Sequence, residues 1–131
     1  MSKWLTSYKG ALAASKRTSR PILANFTGSD WCGWCMRLAE EVFDTDTFSD
    51  WAKTTVVLLT IDFPDRKRQT AQVKAQNKRL QEKHKVEGYP TVIFLDSAGA
   101  RIGESGYESG GAKRWIARAE RILSASRKRS R

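Results

Sequence analysis

The chain has 131 residues, which is enough for one domain with a buried core. Apolar residues make up 40% of it, which argues against disorder, and no apolar run reaches the ~18 residues of a membrane-spanning helix. The formal net charge is +10, but the basic residues are spread along the chain. We therefore do not expect nucleic acid as a partner. Six acids lie near the two cysteines in sequence and predict an acidic surface there: Asp30, Glu40, Glu41, Asp44, Asp46 and Asp50.

The first part of the chain alternates helical and strand patterns. Apolar residues in the stretch Trp4–Leu12 have the spacing of a helix with one buried face, and the apolar run Ile22–Phe26 favours a buried strand. Turn-forming residues follow, of which Ser29 or Asp30 is available to cap the next helix. A short helical turn is expected at Thr47–Trp51.

The second part predicts further strands and helices. Val56–Ile61 is the most continuous β-branched run and predicts a central strand, and residues 68–84 form a weakly amphipathic helical pattern. A hairpin is expected between Thr91–Leu95 and an edge strand at Arg101–Tyr107, followed by a closing helix around Trp115–Leu123. This order indicates an α/β fold, with a mixed central sheet and helices on both faces.

Cys32 and Cys35 are the only cysteines, and they stand where a strand pattern gives way to a helix. A helix start offers unpaired N–H groups and the positive end of the peptide dipole, and both favour the thiolate that attacks disulfides. We expect Cys32 at the exposed start and Cys35 on the inward face, one turn along. The spacing favours a dithiol that cycles between reduced and oxidised forms, with a structural disulfide or a partial metal site as alternatives. The second alternative is weak because His84 is the one histidine and zinc needs about four ligands.

This element order, with W-C-x-x-C after a strand and Gly-Tyr-Pro-Thr at residues 88–91, resembles the thioredoxin superfamily over Trp4–Leu123. Within it, residues 26–35 and 41–43 look like bacterial exported thioredoxin-like proteins related to periplasmic disulfide reductases and isomerases. The resemblance implies a three-layer sandwich. We expect residues 1–126 to form this thioredoxin-like domain and residues 127–131 a basic, disordered tail.

The resemblance also implies roles for individual residues. Cys32 would attack a disulfide, Cys35 would resolve the mixed disulfide, and Pro90 would be cis and packed against the pair. Residues expected to bind the substrate are Trp31, Gly33, Trp34, Tyr89 and Pro90.

The chain departs from the thioredoxin pattern at the position of a buried aspartate and its lysine partner. Asn25 and Leu58 stand at those positions, and Trp34 replaces the inner proline of C-G-P-C. An amide cannot take a proton from Cys35, so that step is expected to use water or a carboxylate such as Asp30.

The predicted function is a thiol–disulfide oxidoreductase that reduces or rearranges protein disulfides, needs no metal or organic cofactor, and is recharged by an unidentified redox partner. The alternative is a thioredoxin-fold binding module whose disulfide stays closed. We expect a monomer without a membrane span. The chain starts without an apolar leader at Met1, so a periplasmic or otherwise exported location supposes that a leader was removed, and a cytoplasmic one is the alternative.

Overall fold

The computed structural model describes residues 2–129, which form a mixed sheet of five strands with helices on both faces. The strands are β1 (Trp4–Leu5), β2 (Ile22–Thr27), β3 (Val57–Asp62), β4 (Thr91–Leu95) and β5 (Arg101–Gly106). The helices are α1 (Tyr8–Thr18), α2 (Gly33–Leu38), α3 (Asp46–Thr55), α4 (Ala71–Lys83) and α5 (Gly111–Arg129). A π-helical segment, Ala39–Phe43, joins α2 to the loop before α3.

The strand order is β1-β3-β2-β4-β5, so β2 lies in the middle of the sheet. β3 pairs in parallel with β1 and β2, whereas β4 runs antiparallel to both β2 and β5. The parallel part, the terminal hairpin and the edge position of β5 agree with the prediction. Because β2 is central, the turn that follows its last residue, Thr27, lies at the middle of one end of the sheet.

The predicted first helix begins later than expected. Trp4 and Leu5 form a strand that pairs with Leu58 and Leu59, and Ser7 caps α1 by accepting the N–H of Gly10 at 3.0 Å. The indole of Trp4 matched the helical spacing, but it packs in the aromatic cluster between the sheet and α3. The prediction of one helix from Trp4 is therefore wrong for residues 4–7, the four residues before α1.

Two apolar layers hold the sheet between the helices. One layer packs α2, the π-helical segment, α3 and α5 on the face that carries Leu23, and Trp115 of α5 lies at its centre. The other layer packs α1 and α4 on the face that carries Leu59. Trp115 also donates its Nε1–H to the carbonyl of Gly106 at 2.9 Å, which fixes α5 to the end of β5. The sheet with helices on both faces confirms the predicted fold class.

Helix α5 extends beyond the predicted end of the domain. It reaches Arg129 and so includes the first three residues of the segment expected to be a disordered tail. Residues 130–131 lie outside the described part of the chain, and the division at residue 126 stays a prediction. Within residues 2–129, no helix is long and apolar enough to cross a membrane.

Candidate active site

The dithiol lies directly after the central strand. The carbonyl of Gly28 accepts the N–H groups of Trp31 and Cys32 at 3.2 and 2.9 Å, which turns the chain from β2 into α2. Cys32 is the N-cap of α2, and its Sγ accepts the N–H of Cys35 at 3.2 Å. The predicted cap at Ser29 or Asp30 is therefore wrong, because the helix starts later, at Gly33.

Cys32 is more enclosed than the sequence predicts. Only 7% of it is exposed, against 5% of Cys35, and both are free thiols. Its Sγ lies 3.7 Å from the carbonyl oxygen of Tyr89, to which the thiol donates. The Tyr89–Pro90 peptide bond is cis, as the resemblance implies. Local spacing predicted that Cys32 lies at an exposed helix start. That prediction is wrong, because the chain around Tyr89 covers Cys32.

Cys35 is a buried thiol with an elevated pKa. Burial, followed by the hydrogen bond with Cys32, raises the pKa of Cys35 to about 11, against the opposing effects of Thr27 and the Gly28 N–H. That N–H lies 3.5 Å from the Cys35 sulfur. At neutral pH, Cys35 is therefore protonated and must lose a proton before it can attack a disulfide.

A pocket of about 460 Å³ reaches Cys35 from the side of the π-helical segment. Asn25 lines it together with Cys35, so the position expected to replace a buried aspartate borders the same pocket as the second cysteine. Among the described residues, the Oδ1 of Asn25 is buried without a hydrogen-bond partner. Leu58 packs in the apolar layer on the same face of the sheet. Polar side chains that line this pocket, among them that of Asp44, can hold water molecules there.

Asp30 does not serve the cysteines. Its two carboxylate oxygens accept the backbone N–H groups of Asp65, Arg66 and Lys67 at 2.8, 2.8 and 2.9 Å. These bonds lower the pKa of Asp30 to about 2, and the bond from Asp65 has the largest effect. The suggestion that Asp30 accepts the proton of Cys35 is therefore wrong, since its oxygens are engaged by another loop.

This contact also changes the charge around the dithiol. Residues 65–68, Asp-Arg-Lys-Arg, form an exposed loop beside Trp31 that we call the basic loop. Glu41, another of the six acids, pairs with Arg37 at 2.9 Å. The prediction of an acidic surface around the cysteines is therefore wrong on the side of Trp31, because Asp30 holds cationic residues there that are distant in sequence.

Trp31 forms one side of the rim around Cys32. Its Nε1–H donates to the carbonyl of Phe63 at 2.7 Å, and its ring meets Tyr89 edge-on at 5.8 Å between centroids. Gly28 allows this placement, because a Cβ there would lie 2.3 Å from the indole. About half of Trp31 nevertheless stays exposed, at 49%.

Trp34 forms the other side and is 54% exposed. Its ring packs on Tyr107 at 5.0 Å, and the guanidinium of Arg37 lies over both rings at 5.1 and 5.4 Å. The Tyr107 hydroxyl donates to Glu41 at 2.6 Å, which ties this side together. No sequence pattern predicted this group as a whole. The Arg37–Glu41 spacing was a visible helical pair, whereas nothing local indicated Tyr107.

Of the other residues considered from the sequence, Gly33 lies at the rim around Cys32 and His84 does not. Gly33 begins α2 between the two tryptophans, and no atom lies within 4 Å of the position that a Cβ would take. His84 packs against Phe26 at the opposite end of α4 from its cap Thr70, and burial lowers its pKa. Within residues 2–129, no three His, Cys, Asp or Glu side chains are grouped as a metal site.

The fold and the paired thiols define a thioredoxin-fold protein with a C-x-x-C centre. A family model described as a thioredoxin-like domain matches residues 8–118. The chain is 32% identical over 117 residues to the disulfide bond reductase DsbH of Chlamydia pneumoniae, covering 89% of this chain and 70% of that protein. The chain therefore belongs to the thioredoxin-like family, and it is a protein thiol–disulfide oxidoreductase. These findings confirm the predicted family and activity.

Two further comparisons agree. A solved structure of a DsbH oxidoreductase matches with a TM-score of 0.89 and 31% identity, covering 94% of this chain and 85% of that one. The thioredoxin-related protein DsbJ of Chlamydia pneumoniae is 32% identical over 110 residues, which cover 82% of this chain and 32% of DsbJ. The chain thus spans most of DsbH but about a third of DsbJ.

Proposed function

We propose that this protein works as a reductase of disulfides in other proteins, with Cys32 as the nucleophile and Cys35 as the resolving thiol. The observation that carries this proposal is the position of the Cys32 sulfur. It accepts the Cys35 N–H at the start of α2, where a negative charge is stabilised by the helix dipole. The similarity to DsbH, which is named a disulfide bond reductase, supports the direction.

The reaction proceeds in two exchanges. The Cys32 thiolate attacks one sulfur of the substrate disulfide, so that a Cys32–substrate bond forms, the substrate S–S bond breaks and the leaving sulfur takes a proton. Cys35 then loses its proton and attacks Cys32, which releases the second substrate thiol and leaves a Cys32–Cys35 disulfide. Two electrons pass to the substrate, and a dithiol of the redox partner restores them.

The proton of Cys35 leaves to water in the pocket beside Asn25. That pocket borders Cys35 directly, and polar residues line it, Asn25 and Asp44 among them. Asp30 is excluded because its carboxylate binds the backbone of residues 65–67. Because burial raises the pKa of Cys35, the Cys35 thiol must lose its proton before the resolving attack.

The substrate chain lies across the rim between the two tryptophans. The exposed rings of Trp31 and Trp34 offer flat apolar contacts to the residues next to the substrate disulfide. Gly33 leaves open space between them, and Tyr89 and Pro90 form the wall against the Cys32 sulfur. These are the residues that we assign to substrate binding.

The test follows the two sulfurs separately. Reduction of insulin by the protein with dithiothreitol should be lost in Cys32→Ser. Cys35→Ser should instead accumulate a mixed disulfide with insulin that dissociates on adding reductant. Turnover that survives Cys32→Ser would contradict the mechanism. A Cys32–Cys35 potential below about −300 mV would indicate a structural disulfide and a binding module instead.

We further propose that the protein acts as a monomer outside the cytoplasm, on disulfide-bearing proteins, and is recharged by a reducing partner there. Disulfides form and persist in such compartments, so substrates are present. Labelling of Cys32 in intact cells by a thiol reagent that cannot cross the inner membrane would support this location. Labelling only after lysis would contradict it.

A further inference from the structure

The basic loop is fixed in place beside the active site. Three consecutive backbone N–H groups, of Asp65, Arg66 and Lys67, donate to the carboxylate of Asp30, which stands two positions before Cys32. The Lys67 ammonium also donates to the Ser29 hydroxyl at 3.2 Å. Charge-assisted bonds of this kind fix the backbone of residues 65–67 beside the active site.

Two guanidinium groups of this loop are available for a partner. Arg66 and Arg68 are exposed, and neither takes part in the side-chain ion pairs found among residues 2–129. The nearby carboxylates are already bound, Asp30 by the backbone N–H groups of residues 65–67 and Asp62 by the N–H and hydroxyl of Ser29 at 3.0 and 2.5 Å. Asp65 is the one exposed acid within the loop, so its outward side carries an excess of positive charge.

The loop is connected to the nucleophile by a short series of contacts. Phe63, just before it, accepts the Trp31 indole N–H and packs its ring on Tyr89 at 5.4 Å between centroids. The carbonyl of Tyr89 in turn touches the Cys32 sulfur. A polypeptide whose disulfide reaches Cys32 past Trp31 therefore passes beside the basic loop within a few residues, since an extended chain advances about 3.3 Å per residue.

The geometry points to selection of substrates by charge: the basic loop binds aspartate or glutamate residues that flank the disulfide of a protein substrate. This inference rests on the proposed reductase function and adds a substrate class to it. Guanidinium groups bind carboxylates through paired N–H donors, which suits Arg66 and Arg68. Nucleic acid is the less suitable partner, because its affinity depends on many phosphate contacts and this loop offers few cations.

The test compares disulfide-linked peptides that differ only in the residues flanking the cystine, which are acidic, neutral or basic. With the reduced full chain at low salt, single-turnover rates should be about 3- to 10-fold higher for the acidic peptide than for the neutral one, as expected for two exposed ion pairs. The difference should shrink as salt approaches 0.1 M, where charges are screened beyond about 10 Å.

Two variants with the same change of net charge locate the effect. Arg66→Glu with Arg68→Glu should abolish or reverse the preference while leaving the neutral peptide's rate within about two-fold. Lys16→Glu with Arg127→Glu should keep the preference. Lys16 and Arg127 line a pocket with Pro21 and Asp96, at the end of the sheet away from the cysteines.

The outcomes separate this inference from the proposed function. No preference in the parent, or an equal loss in both double variants, would overturn selection by the loop even if all peptides are reduced. Inhibition by an oligonucleotide that depends on Arg66 and Arg68, without an acidic preference, would also overturn it and assign the loop to nucleic acid. Failure of the parent to reduce the neutral peptide would instead contradict the proposed function itself.

Discussion

The sulfur of Cys32 accepts the backbone N–H of Cys35 at 3.2 Å, so the first cysteine caps the helix that holds the second. The two thiols thus differ in environment although only two residues separate them. Cys32 lies at the helix start against the Tyr89 carbonyl, whereas Cys35 faces the interior and a lateral pocket. This difference assigns the two exchange steps to different sulfurs.

Alkylation should distinguish the thiols. Iodoacetamide at pH 7 should modify the reduced protein at Cys32, because burial raises the pKa of Cys35 to about 11 and keeps it protonated. In Cys32→Ser, the alkylation rate of Cys35 should rise continuously from pH 7 to 10, as the thiolate fraction increases. Mass spectrometry after timed quenching provides the measurement. A plateau below pH 9 would show that Cys35 is an acidic thiol and contradict the assignment.

Asp30 should make stability depend on acid pH. Its pKa falls from 3.8 to about 2 on folding, so its contribution is present above about pH 4 and is lost as the pH falls towards 2. Asp30→Asn should therefore lower the melting temperature at pH 6, and its difference from the parent should shrink between pH 4 and 2. Asp50→Asn, at an exposed carboxylate next to Lys53, is the matched control. A constant difference down to pH 2 would contradict this linkage.

Gly28 and Gly33 should respond differently to alanine. A Cβ at Gly28 would lie 2.3 Å from the Trp31 ring, so Gly28→Ala should displace the indole, weaken its bond to Phe63 and cost about 1–3 kcal/mol of unfolding free energy. Gly33→Ala meets no atom within 4 Å and should change stability by less than about 1 kcal/mol. Urea unfolding followed by circular dichroism measures both. Equal losses in the two variants would refute the steric explanation.

Asn25→Asp should place a carboxylate next to Cys35. Burial raises the pKa of such a group, so the variant should lose stability relative to the parent as the pH rises above about 4, because the unfolded chain ionises more readily. The carboxylate can also accept the Cys35 proton, so decay of the mixed disulfide should be faster near pH 7. Stopped-flow fluorescence measures this decay. Asn25→Val serves as the control, since it removes the unpartnered Oδ1 without adding a base.

The sequence patterns predicted the elements whose cause is local. The alternating strands and helices, the β4–β5 hairpin and the inward face of Cys35 follow from periodicity and turn residues. The family resemblance implied the cis bond before Pro90, which local statistics would have opposed.

Contacts between distant segments account for the errors. The cover over Cys32 comes from Tyr89, and the partners of Asp30 come from residues 65–67. Trp4 lies in a strand, because its pairing with β3 and its packing in the aromatic cluster outweigh the helical spacing of the apolar residues around it. No pattern within either segment carries information about such pairings, so the charge near the dithiol could not be predicted.

The π-helical segment after α2 limits how the length of this region can vary. The Asp44 N–H donates to the carbonyl of Ala39 at 2.7 Å, five positions earlier, so this turn holds one residue more than an α-helical turn would need. Each residue of an α-helix rotates the chain by about 100°. Deleting one residue here would therefore rotate either Cys35 away from Asn25 or Phe43 out of the Trp115 cluster. The spacing between the reactive thiols and the apolar core is thus set by a single inserted position.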